Sequence, residues 1–106
     1  MASYGQPHRV GALVLDPLDT SVSVGSEKVQ LNRAEYRVLR RLADEPGQTV
    51  ARAALLEVLY GEEFPSESRI VDVYVSRIRA KLRQLPGGED LITSVRGTGW
   101  SLREPG

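Results

Sequence analysis

The chain has no cysteine and one histidine among its 106 residues. The missing cysteines exclude a disulfide framework and any thiolate metal site, and they fit a reducing compartment. With His8 alone near the N-terminus, the usual nucleophile–base pairs and metal-ligand clusters cannot be assembled. Glu62 and Glu63 are adjacent on a loop and read as solvated charges, not as a catalytic pair. No enzyme activity, metal or cofactor is expected. Long apolar runs are also missing: nothing approaches the ~20 residues that a membrane-spanning helix needs. The opening "MASYGQPHRV" lacks the apolar centre of a signal peptide. A soluble, cytoplasmic protein without a membrane partner is expected. Finally there is no net charge, since 14 Lys and Arg balance 14 Asp and Glu.

What is present is ordinary in amount and uneven in place. Hydrophobic residues make up 41% and charged residues 26%, which suits one domain with one modest core. Residues 69 to 103 hold seven basic residues (Arg69, Arg77, Arg79, Lys81, Arg83, Arg96, Arg103) against three acids, whereas residues 1 to 68 hold seven against ten. A basic C-terminal third on a neutral whole is a localised footprint for a polyanion, not a general one.

Residues 1–8 read as a tail or linker remnant and 9–104 as the domain. "RVGALVL" (9–15) has the length of one strand, stopped at Asp16-Pro17. "SVSVGSEKVQL" alternates around Gly25-Ser26 as a hairpin. Asn32 then opens a helix, with Glu35 three residues on completing a capping box and Leu31 and Tyr36 as its hydrophobic staple. Pro46-Gly47 ends that helix, Thr49-Val50 suits a short strand, and "ARAALLEVLYG" reads as a second helix terminated by Gly61. After a loop containing Pro65, a third helix is predicted from about Ser68 to Leu85, before Pro86-Gly87-Gly88. "LITSV" and "WSLR" pair as a closing hairpin.

The third helix and this hairpin carry the functional signal. On a wheel with Arg69 at zero, Val71, Val75, Ile78, Leu82 and Leu85 fall between about 160° and 240° as one apolar stripe. The opposite side holds Arg69, Val73, Ser76 and Ala80, with Arg77 and Gln84 on its shoulder and no acid at its centre. Asp72 and Arg79 share one flank, Tyr74 and Lys81 the other. Small residues between arginines let a helix approach the DNA major groove, where arginine binds guanine bidentately and valine meets a thymine methyl. The hairpin "SVRGTGWSL" lifts Arg96 to its tip, with Gly97 and Gly99 as turn residues. A narrow minor groove attracts such an arginine, and the glycines would let the backbone turn tightly and approach phosphate.

"LNRAEYRVLRRLADEPGQTVAR", "SRIVDVYVSRIRAKL" and "SVRGTGW", at this spacing, resemble the winged-helix effector domain of OmpR/PhoB-type response regulators. The resemblance covers about Val10 to Arg103. It implies an α+β fold: an N-terminal four-stranded antiparallel sheet, three helices and a C-terminal β-hairpin wing. It further implies sequence-specific double-stranded DNA binding in transcription regulation. Base contacts fall on Arg69, Val73, Tyr74 and Arg77, and the minor-groove contact on Arg96. DNA-backbone contacts fall on Arg52, Tyr60, Arg79, Ser94, Thr98 and Trp100. A loop of Gly61, Glu62, Glu63, Phe64, Pro65, Ser66 and Glu67 would face RNA polymerase. The family's partners would be a phosphorylatable receiver domain in the full-length protein and a sensor kinase. The isolated domain would be a monomer that binds direct-repeat promoter sites as a head-to-tail dimer.

Some positions depart from the family pattern. Tyr60 stands where tryptophan is usual and Trp100 where tyrosine is. Tyr74 replaces a common histidine and Ile70 a common threonine, which alters what the helix offers to bases. Ala51 replaces the serine that usually caps the second helix, weakening that cap. A different reading of the same fold is a winged-helix module that meets protein and not DNA, for which the neutral charge and the acidic "GEE" speak.

Overall fold

The structure is a computed structural model that describes residues 5–61 and 69–104. The first apolar run is not one strand. Gly11 takes φ +57° and folds it into β1 (His8–Val10) and β2 (Leu13–Asp16), paired antiparallel with His8 opposite Leu15. His8, placed in the tail by sequence, therefore opens the first strand, and its Nε2 lies 2.8 Å from the Ala43 carbonyl oxygen. β3 (Ser21–Val24) and β4 (Glu27–Gln30) follow as the expected hairpin and complete a sheet of order β1-β2-β3-β4. Leu13, Leu15 and Val22 are buried on the face of this sheet that meets the core.

α1 (Arg33–Ala43) starts at the predicted capping box. Asn32 Oδ1 accepts from the Glu35 amide at 2.7 Å, and Glu35 Oε1 accepts from the Asn32 amide at 2.8 Å. Both bonds satisfy donors that a helix start leaves unpaired. Asn32→Ala is expected to cost about 1 kcal/mol, read as a lower urea midpoint at unchanged m-value. Glu35 does more than cap. It is 2% exposed, and Lys81 Nζ reaches its Oε1 at 2.6 Å, tying the first helix to the third.

β5 (Val50–Ala51) leads directly into α2 (Arg52–Tyr60), and α3 (Ile70–Leu82) follows. The third helix is shorter than predicted at its described end. It stops at Leu82, and tight turns from Lys81 to Gln84 and Leu82 to Leu85 continue the chain. Leu85 still reaches the core by this route. Val71, Val75, Ile78 and Leu82 are buried, as the wheel requires. β6 (Ile92–Val95) and β7 (Gly99–Leu102) form the closing hairpin, and β5 pairs with β7 to give a second sheet of order β5-β7-β6. One core of leucines, valines and Trp100 joins the first sheet, the helices and this small sheet.

Candidate nucleic-acid interface

α3 presents two kinds of surface. Its outward side exposes Val73, Ser76, Arg77 and Ala80, with Val73 40% exposed although it is an apolar residue. Arg69 is exposed at the N-cap position, one residue outside the helix. Tyr74 is half-buried on the flank, and the Arg77 guanidinium sits 5.7 Å from its ring centroid. Stacking of this kind restricts the arginine's rotamers while leaving its N–H fork for a partner. Neither Arg69 nor Arg77 has an ion pair within 4.0 Å among the described residues.

The other flank forms one wall of a cleft of about 530 Å³ whose opposite wall is the hairpin. Arg52, Arg79, Ser94, Arg96, Thr98 and Trp100 line it together, so six of the predicted contact residues converge. Tyr60 does not join them. It is 48% exposed at the far end of α2, about 12 Å along the helix from Arg52 at 1.5 Å per residue. Of the predicted polymerase-facing segment, Gly61 caps α2 with φ +75°, and residues 62–67 lie outside the described residues.

The two glycines of the hairpin have different jobs. Gly97 takes φ +74° in the turn, where the Thr98 amide donates to the Val95 carbonyl at 3.0 Å. Gly99, expected to help the turn approach phosphate, instead lies buried against β5. A Cβ there would stand 1.9 Å from the Val50 oxygen, so it is strand pairing that requires the missing side chain. Arg96 is exposed at the tip.

Several of the cationic side chains are held before any ligand arrives. Arg52 lies 4.8 Å above the Trp100 ring and donates to both carboxylate oxygens of Asp72, at 2.6 and 3.2 Å. Trp100 is only 5% exposed and acts as the platform for Arg52. The Arg52 guanidinium holds the Asp72 carboxyl below its ordinary 3.8. The stability from this pair is therefore full above that value and is lost only as pH falls below it. Arg79 donates from Nε and Nη2 to the Ile92 carbonyl, at 3.2 and 2.8 Å, and from Nη2 to Ser94 Oγ at 2.9 Å. Arg79→Ala is thus expected to lower thermal stability as well as duplex affinity, because it unties β6 from α3. Equal melting temperatures for the variant and the parent would count against that clamp.

Ala51 makes no side-chain cap, as its methyl requires. The wing supplies a substitute: the Arg52 amide donates to the Thr98 carbonyl at 3.4 Å. Asp72 and this carbonyl were missed by sequence reasoning, since Arg52 and Asp72 are separated by 20 positions and no local pattern couples them. Among the described residues, no group of three metal-ligating side chains occurs, and no helix is long and apolar enough to cross a membrane.

A helix with an open cationic face beside a cationic two-stranded wing defines the winged-helix class. Comparison with known proteins narrows this. The family model described as transcriptional regulatory protein, C terminal, matches residues 26–102. The transcriptional regulatory protein AfsQ1 of Streptomyces coelicolor is 38% identical over 95 residues, covering 90% of this chain and 42% of AfsQ1. The response regulator MprA of Mycobacterium tuberculosis is 35% identical over 103 residues, covering 97% of this chain and 44% of MprA. Among solved structures, the DNA-binding domain of Klebsiella pneumoniae RstA, crystallised with the RstA box, superposes with a TM-score of 0.78 at 35% identity. That match covers 92% of this chain and 97% of the RstA chain. The chain belongs to the C-terminal DNA-binding domain family of OmpR/PhoB-type response regulators, which regulates transcription. It spans 42–44% of the length of the curated relatives named here.

Proposed function

We propose that this domain reads duplex DNA with α3 in the major groove and the wing in the adjacent minor groove. The observation that carries the reading is the exposed, acid-free face of Val73, Ser76, Arg77 and Ala80 on a helix whose flank shares a cleft with the wing. Arg69, Val73, Tyr74 and Arg77 would meet base edges, and Arg96 would enter the minor groove. Arg52, Arg79, Ser94, Thr98 and Trp100 would bind the phosphate path through the cleft, and Tyr60 would meet phosphate at the far end of α2. Because Arg52 and Arg79 are already fixed by Asp72, Ser94 and the Ile92 carbonyl, little side-chain freedom would be lost on binding.

In the same reading the domain serves a cytoplasmic two-component response regulator. A receiver domain phosphorylated by a sensor kinase would bring two copies head to tail on direct repeats, the isolated domain being a monomer. The segment from Gly61 to Glu67 would face RNA polymerase. The test is selection of the domain against random duplexes at two salt concentrations. Enriched half-sites repeated in one direction about one helical turn apart, and weakened by salt, are expected. Recovery of all sequences alike would overturn the reading.

A further inference from the structure

A second basic surface lies on α1. Arg33, Arg37, Arg40 and Arg41 fall at positions i, i+4, i+7 and i+8, within about 100° of the helix circumference. Arg40 pairs with Asp44 at 2.9 Å and Arg41 with Glu45 at 3.6 Å. Arg33 and Arg37 are exposed and have no ion pair among the described residues. Beside this stripe is a cleft of about 250 Å³ lined by Tyr36, Arg37, Arg40, Arg41 and Asp44 of α1 and Val58 of α2. No residue of α3 or of the wing lines it, so it is separate from the DNA-facing cleft.

Tyr36 lines the same cleft as Arg40. It is 7% exposed, and its buried hydroxyl lies beside the Arg40 guanidinium without a well-aligned hydrogen bond among the described residues. A buried polar group with poor hydrogen-bond geometry destabilises its surroundings, and an acceptor reaching it from the cleft would relieve that. Burial pushes its phenol up, and the neighbouring Arg40 partly opposes that shift. A hydroxyl that stays protonated beside a guanidinium is suited to a carboxylate.

We propose that the α1–α2 cleft docks an acidic protein segment carrying one apolar anchor side chain. The size of the cleft argues for a single anchor, since pockets that enclose whole small molecules run to ~300–1,000 Å³. The arginines argue for an acidic partner. A DNA backbone fits less well, because Asp44 and Glu45 close the helix end with negative charge and a phosphate chain offers nothing to an apolar cleft. Arg37, without a competing acid, makes the first contact, and the anchor sits against the Tyr36 ring and Val58.

The experiment uses a fluorescent short peptide of aspartates and glutamates with one central phenylalanine. Saturable binding is expected, weakened about tenfold by Arg37→Glu, as for a charged interface centre. Tyr36→Phe keeps the ring and should weaken it about threefold, the size of one hydrogen bond. Serine in place of the peptide's phenylalanine should weaken it too. Arg77→Ala should leave peptide binding intact, and Arg37→Glu should leave DNA selection intact, so this surface and the DNA-reading face fail independently. Absence of saturable binding, indifference to Arg37→Glu, or loss of duplex affinity with that variant would overturn the proposal, the last by assigning the stripe to DNA.

Discussion

Alanine at position 99 is expected to dismantle the wing. The added Cβ would lie 1.9 Å from the Val50 oxygen, 2.8 Å from its carbonyl carbon and 3.0 Å from Ala51 Cα. All three are backbone atoms, so no rotamer change relieves the contact, and β5 must leave β7. With it go the pairings of Val50 with Trp100 and of Ala51 with Gly99, and the Thr98 carbonyl that caps α2 through the Arg52 amide. Overpacking in a well-packed interior costs ~1–3 kcal/mol, and a clash with immovable backbone belongs at or above the top of that range. Against a total stability of ~5–15 kcal/mol this is a large loss. Urea denaturation should show a strongly reduced midpoint for Gly99→Ala, and duplex binding should fall with it. Gly97→Ala is the control. Among the described residues, no atom beyond its chain neighbours lies within 4 Å of the new methyl, and the variant suffers only from its φ of +74°, a cost of about 1–2 kcal/mol. Similar midpoints for the two variants would show that the β5–β7 approach does not constrain position 99.

Arg77→Ala is expected to separate base reading from general attraction. Its guanidinium stands on the outward side of α3, stacked near Tyr74 and not engaged by any acid within 4.0 Å among the described residues. If it binds a guanine edge bidentately, the variant loses ~1–3 kcal/mol on the selected site, roughly 5- to 150-fold in affinity. Affinity for unrelated duplexes should scarcely change. A phosphate contact would behave differently, with equal losses on all duplexes and a salt dependence shallower by about one unit. Titrations of selected and scrambled duplexes at two salt concentrations distinguish the two roles, and equal losses would remove Arg77 from the base readers.

Much of this architecture is written in short-range chemistry. The Asn32–Glu35 capping box needs only a three-residue spacing, and α3's buried stripe needs only the helical period. The hairpin carrying Arg96 follows from strand residues on either side of a glycine turn. The exposed face of Val73, Ser76 and Arg77 is the complement of the stripe and was legible with it. At the first strand, one backbone angle overturned the local reading. Gly11 turned one predicted strand into two, because glycine tolerates positive φ and an apolar run does not reveal whether its glycine will use it.

The sequence by itself determined which residues face the core, where the helices begin and which side of α3 carries the arginines, because each follows from a periodicity of two to four residues. Tertiary structure alone decided what the charged groups do. Arg52 meets Asp72 and Trp100, Lys81 meets Glu35, Arg79 meets Ser94, and Gly99 meets Val50. These partners are 15 to 49 positions apart by residue number. A hydrogen bond or an excluded Cβ depends on ångström-scale approach between separate elements, and no local pattern records which of many available cations will be brought to which acid.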